Sequence, residues 1–253
     1  MLHIKFFMAV MILFMAVLAG LWPFRIKIKH QGVASSSLQF PQGEAIACGV
    51  FLGAGLIHML GDSAQGFISA GYQYPFAFLI AGAIFLVFLL IEHWGRELQA
   101  HRAAHSSGMA ILATCMLSIH SLFEGAALGI SGSLLTALVL GLAIIAHKWA
   151  ASFSLALQIN KSALSFRAGM ACFLIFACMT PLGILLGGWV HAATGSYPLL
   201  TPIFSALAAG TFLYIGTLHG LSRATMIQHC CNMREFVFLV LGFSIMAVVA
   251  IWT

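Results

Sequence analysis

Five residues near the middle of the chain carry polar or ionisable groups inside otherwise apolar stretches: His120, Ser121 and Glu124 in IHSLFEGAALG, and His147 and Lys148 in AHKWAASFSLALQ. His120 and Glu124 are four positions apart, which puts them one turn apart on the same face of a helix. A carboxylate and an imidazole on one helix, with a second imidazole from a facing helix, form a three-donor shell for a borderline divalent metal and leave positions for water or a further oxygen. Four thiolates would hold zinc as a fixed structural ion, whereas histidine and carboxylate with an open position permit exchange. An ion that is carried must bind well enough to enter and weakly enough to leave. The plain alternative for a histidine and a carboxylate at this spacing is a polar contact that pins two helices together.

The elements that must position these groups follow from composition. Of 253 residues, 62% are hydrophobic and 7% charged, where a soluble domain carries about 25% charged residues. The mean hydropathy is +1.05. This excludes an ordinary soluble enzyme and implies an all-α polytopic membrane protein, since apolar runs near 20 residues are what a helix needs to cross a bilayer. Eight runs lie near residues 5 to 24, 44 to 62, 74 to 94, 107 to 130, 133 to 159, 166 to 189, 198 to 220 and 235 to 252. The first has a competing reading as a secretion signal, because Lys5 precedes an apolar run that ends in small residues. Loops this short leave no room for a soluble domain, so residues 1–253 form one transmembrane unit. The net charge of +5 comes without a dense basic stretch, and no nucleic-acid partner is expected. Six scattered cysteines resemble small hydrophobes more than a disulfide framework. His229, Cys230 and Cys231 form a weak metal-scavenging candidate beside the plain reading of a loop with two thiols.

Charge placement orients the spans. Arg25, Lys27, Lys29, Arg96, Arg102, Lys161, Arg167, Arg223 and Arg234 fall in alternate gaps, so nine of the eleven basic residues share one face. By the positive-inside rule that face is cytoplasmic and both termini lie outside. Lys5 is on the other side, and Lys148 sits at mid-membrane. In this frame His58 and Asp62 in GLIHMLGD lie one turn apart near the external mouth, and His219 lies near the cytoplasmic end of the seventh span, where Glu92 and His93 finish the third. His101 and His105 fall in the cytoplasmic gap between the third and fourth spans and are expected to be solvated surface groups.

An internal repeat adds to this. Gly49 to His58 reads GVFLGAGLIH and Gly210 to His219 reads GTFLYIGTLH; Phe76 to Gly82 and Phe236 to Gly242 share FxFLxxG; the offsets are 161 and 160 residues. Two matches at nearly one offset put spans 1 to 3 in register with spans 6 to 8, and the topology runs the two sets in opposite directions. That is the inverted-repeat plan of secondary transporters, whose binding sites lie near the midplane.

The residues HSLFEGAALG, HKWAASFSLALQ, CMTPLGILLG and AGTFLYIGTLHG together resemble the signatures of spans 4, 5, 6 and 7 of the ZIP (Zrt/Irt-like) metal transporters, and the likeness runs essentially end to end. The resemblance implies eight helices in a 3+2+3 arrangement and uptake of Zn²⁺, or of Cd²⁺, Fe²⁺ or Mn²⁺, toward the cytoplasm. It also implies a homodimer in many cases, and movement of a transport bundle past a scaffold. The expected metal ligands are His120, Glu124 and His147, with His58, Asp62, Ser121, Lys148 and His219 along the pathway.

Two departures stand out. Many members build a binuclear centre with a carboxylate one turn after the span 5 histidine, but Ala151 stands there, and Lys148 follows the histidine as in the subset with HK. An ammonium at that point repels a second dication, so a mononuclear site is expected, with Glu124 balancing Lys148 or the metal. His219 also replaces a glutamate common in related chains.

No enzymatic activity is expected. The rival reading is a membrane haem b oxidoreductase in which His120 and His147 are axial ligands. An intramembrane metalloprotease lacks its HExxH motif, because His147 is followed by Lys148. Compact loops favour a bacterial inner membrane or another plasma membrane as the location.

Overall fold

A chain immersed in hydrocarbon must satisfy its own backbone hydrogen bonds, and helices do this within each segment. The computed structural model describes residues 2–29, 40–100, 105–195, 197–217 and 233–252. Among the described residues there are nine α-helices, two stretches of π geometry and no strand. Helix α1 (Leu2–Lys29) forms the first span. The second is a composite of α2 (Pro41–Gly53), the π-turn Ala54–Met59 and α3 (Leu60–Ser69). Then come α4 (Phe76–Ala100), α5 (His105–Ile130), α6 (Leu134–Lys161), α7 (Phe166–Thr194), α8 (Leu200–Tyr214) and α9 (Met233–Val249).

Seven of these segments are long and apolar enough to cross a membrane. Helix α9, with 17 residues, stands at the lower limit of spanning length. The expected runs thus appear, mostly lengthened at their ends by polar residues. Ser133 and Ser165 cap α6 and α7 with side chains that accept from the amides of Thr136 and Ala168. Outward-facing Leu86, Leu135, Leu185 and Trp189 are well exposed, as a lipid-facing surface requires.

The helices pack as two groups. Helix α5 lies along α7 and α1 along α6, with α1 also touching α7. In the other group α2 lies along α9 and α4 along α8, with the π-turn and α3 against α8. Each group is held by backbone approach at glycine. The GxxxG pairs Gly125/Gly129 of α5 and Gly183/Gly187 of α7 face each other, so that a Cβ added at Gly183 would come within 3.0 Å of Gly125 Cα. A Cβ at Gly242 of α9 would overlap the Ile46 carbonyl of α2, and one at Gly210 of α8 the Ala81 carbonyl of α4. Lys5 ties α1 to the end of α5, donating to the Gly129 and Ser131 carbonyls, the latter at 2.8 Å. The contacts between groups run mainly along α5·α8 and α2·α6, and the glycines there meet side chains, as Gly43 meets Phe153.

A Gly183→Val change forces α5 and α7 apart with no flexible group to yield. Overpacking of this kind costs about 1–3 kcal/mol or more. Thermal unfolding in detergent should show a midpoint several degrees below wild type, whereas the same change at Gly82, where a Cβ meets nothing within 4 Å, should leave the midpoint unmoved.

The two repeated segments touch each other reciprocally. Phe51 and Phe212, equivalent at the offset of 161, meet with ring centroids 5.0 Å apart. A Cβ at Gly55 would meet Leu213 at 3.3 Å, and one at the equivalent Gly216 would meet Leu52, the equivalent of Leu213, at 3.4 Å. The π-turn at Ala54–Met59 has a counterpart in the π geometry of residues 215–217. Neither π segment was legible from hydrophobic patterning.

Candidate metal centre

Helix α5 presents His120 and Glu124 one turn apart toward α6, which presents His147. The three side chains are 1%, 4% and 0% exposed, and their donor atoms all lie within 4.8 Å of one another. His120 Nε2 stands 3.8 Å from Glu124 Oε2, while His147 Nε2 hydrogen-bonds Glu124 Oε1. His120 Nε2 and Glu124 Oε2 have no hydrogen-bond partner despite complete burial. A buried polar atom without a partner costs about 1–3 kcal/mol, and a cation bound between two such atoms would satisfy both. Tetrahedral bonds of about 2.1 Å to zinc put donor atoms about 3.4 Å apart, so side-chain shifts of under about 1 Å each close this donor set around one ion.

The shell around the donors is specific. His120 Nδ1 lies 2.7 Å from Thr211 Oγ1 and 3.2 Å from the Ala208 carbonyl, both on α8. Phe212 stacks on the His120 ring at 3.6 Å and meets His147 edge-on at 5.0 Å. Glu124 stands between the two imidazoles and Phe212 packs against both rings, which fills the space a porphyrin would need. The haem reading has no support here. Phe212 and Thr211 were not identified as site residues from the sequence, although both stand in the repeated segment GTFLYIGTLH.

Lys148 is fully buried and reaches between α5 and α7. Its ammonium donates to Ser121 Oγ at 2.8 Å and Thr180 Oγ1 at 2.7 Å and lies 4.4 Å from the Phe176 ring centroid. Among the described residues Lys148 makes no ion pair, and the direct partner of Glu124 is His147. Ser121, expected along the pathway, thus accepts from the ammonium through its hydroxyl. His58 is buried in the π-turn with Nδ1 2.9 Å from Asp62 Oδ2, an ion-pair contact without hydrogen-bond alignment. Among the described residues its ion-pair contact is thus Asp62 and not the triad. Asp62 is partly exposed and opens with Gln65, Thr136 and Ser205 onto a cavity of about 500 Å³ at the end of the bundle where α6 and α8 begin. At the opposite end Glu44 of α2 pairs with Lys161 of α6 beside Cys48 and Gln158. Glu92 is buried and hydrogen-bonded by Arg96. His219, His101, His229, Cys230 and Cys231 lie outside the described residues, as does the side chain of His105.

Comparison with known proteins places this geometry in a context. The profile of the family described as ZIP Zinc transporter matches residues 95–250, which contain all three donors. Zinc transporter ZIP2 of Mus musculus is 28% identical over 258 residues, covering 81% of this chain and 83% of the relative. Zinc transporter ZIP1 of Homo sapiens is 27% identical over 291 residues, covering 97% and 90%. Protein zntD of Dictyostelium discoideum reaches 37% over 142 residues, covering 54% of this chain and 20% of its own length.

Proposed function

This chain belongs to the ZIP zinc transporter family, and on that premise we propose that it carries Zn²⁺ toward the cytoplasm through a mononuclear site formed by His120, Glu124 and His147. The observation that carries the reading is the pair of unpartnered, buried donor atoms, His120 Nε2 and Glu124 Oε2, beside the His147 imidazole. Two imidazoles and a carboxylate suit zinc and also accept Cd²⁺, Fe²⁺ or Mn²⁺, so selectivity rests on geometry and supply more than on donor type. The protein is a multi-pass membrane protein in the plasma membrane or a bacterial inner membrane.

Residues 1–253 form a single unit of 3+2+3 spans, with both termini outside. The reciprocal contacts of Phe51 with Phe212 and of Gly55/Leu213 with Gly216/Leu52 support an inverted repeat, because groups near a two-fold axis meet their own equivalents. The packing of α2 on α9 and of α4 on α8 exchanges under the same operation. Two copies associate as a homodimer. The role assigned to the protein is transport, with no chemical conversion of a substrate.

In this orientation His58 and Asp62 gather the ion at the external mouth. His58→Ala should raise the Michaelis constant for zinc several-fold and leave the maximal rate nearly unchanged; a fall in the maximal rate at constant KM would contradict an entrance role. The function itself is tested with purified protein in proteoliposomes loaded without metal. Zinc-65 should accumulate in the lumen above protein-free vesicles, with cadmium, iron and manganese competing in measurable order. Accumulation equal to the protein-free control would overturn the reading.

A further inference from the structure

The hydroxyl of Thr211 sits between two neighbours that fix what it does. It donates to the Ala208 carbonyl at 2.6 Å, one turn earlier in α8, and so has only its lone pairs left for His120 Nδ1 at 2.7 Å. The Ala208 carbonyl, which also faces His120 Nδ1 at 3.2 Å, can only accept. Both neighbours therefore require the proton on Nδ1. That leaves Nε2 as the bare nitrogen, and it is Nε2 that points without a partner into the donor cluster. The ring itself is held in place by Phe212, stacked at 3.6 Å with an interplanar angle of 15°.

Thr211 does not belong to the helices that carry the donors. Helix α8 is part of the group locked to α4 by Gly210, whereas α5 is locked to α7 through the facing GxxxG pairs. The hydrogen bond from His120 thus crosses the seam between the groups. Thr211 is fully buried, and its γ-oxygen is engaged on both sides, which is more than packing alone demands.

We propose that Thr211 is a positioning residue for ion binding: its hydroxyl, presented by the opposite helix group, holds His120 in the Nδ1–H tautomer with Nε2 free for the metal, so that the affinity of the site depends on the register of α8 against α5. This rests on His120 being a ligand, as proposed above. Outer partners that set the tautomer of a ligating histidine are generally worth about 10–100-fold in metal affinity. The Ala208 carbonyl remains when the hydroxyl is removed, which places the effect at the lower end of that range.

The test uses the full chain with Thr211→Val, which keeps the shape and loses the hydroxyl, Thr211→Ser, which restores it, and His120→Ala. In zinc-65 uptake at matched abundance, the valine variant should raise KM about tenfold with Vmax changed by under about twofold, and serine should return KM to near wild type. A merely structural role would lower abundance and Vmax at constant KM. Wild-type KM in the valine variant together with loss of uptake in His120→Ala overturns this inference alone. Wild-type uptake in His120→Ala overturns the function on which it rests. Should the valine variant not fold, ¹⁵N shifts of histidine-labelled wild-type protein without metal decide. The signal that vanishes in His120→Ala should report a protonated Nδ1, and a protonated Nε2 would contradict the proposal.

Discussion

Single replacement of His120, Glu124 or His147 by alanine should abolish zinc-65 uptake into cells at matched surface abundance. Each change removes one of three converging donors, all at most 4% exposed, from a place where no other described histidine, cysteine or carboxylate completes a cluster. Loss of a direct ligand should exceed the roughly 10–100-fold that supporting partners are worth. Glu124→Ala has a second consequence, because Glu124 is the hydrogen-bond partner of His147 and the neighbour of His120, so both imidazoles lose their counter-group together. Retention of wild-type rates in any one of the three variants would remove that residue from the site.

Lys148→Met should tighten zinc binding and slow turnover. The methionine side chain approximates the length of lysine and lies against Phe176, while Ser121 and Thr180 lose a donor but keep hydroxyls able to rotate toward carbonyls of their own helices. What disappears is a positive charge beside a site for a dication. Two unit charges 4 Å apart interact by about 4 kcal/mol at an effective dielectric constant of 20, and a dication at twice that distance gives the same figure. Even a third of this amounts to about tenfold in affinity, since 1.4 kcal/mol is one decade. Calorimetric titration of purified protein should show one zinc ion per chain in wild type, and one ion bound at least about tenfold more tightly in Lys148→Met. The tighter ion leaves more slowly, and Vmax falls. Unchanged affinity, or two ions at the centre of the wild type, would contradict the role of the ammonium.

The difference between His147 and Lys148 shows where sequence reading reaches and where it stops. A histidine and a glutamate four positions apart in an apolar run are legible as a pair, because helical geometry alone places them on one face. Adjacent residues on a helix, however, point about 100° apart at 3.6 residues per turn, so His147 and Lys148 meet different side chains, Glu124 and Ser121 of α5, and Lys148 also reaches Thr180 of α7. Which of them meets Glu124 depends on how α6 is rotated against α5 and α7, and the sequence does not state that rotation. Glu124 is expected to balance Lys148 or the metal; in the structure its direct contact is His147, and the groups touching the ammonium are two hydroxyls and a ring contributed by α5 and α7. Thr211 and Phe212 were missed for the same reason. They come from a helix about 90 residues further along the chain, against His120, and their only early signal was membership of the repeat.

The spans themselves were the easiest part to foresee, since apolar length is a direct reading of bilayer thickness. The π-turn at Ala54–Met59, which carries His58, was not foreseen, and it interrupts what patterning presents as one continuous helix. The division into two glycine-locked groups was not read from the sequence. GAALG and GILLG can be read as close-approach motifs, but their mutual facing is a property of the packed helices alone.

Zinc K-edge X-ray absorption of the purified protein carrying one equivalent of zinc tests most directly whether α5 and α6 hold the ion between them. The spectrum should show a first shell of nitrogen and oxygen only, with outer scattering from two imidazoles that drops to one in His120→Ala and in His147→Ala. Sulfur in the first shell, or imidazole scattering unaltered by both substitutions, would place the ion elsewhere and contradict the site.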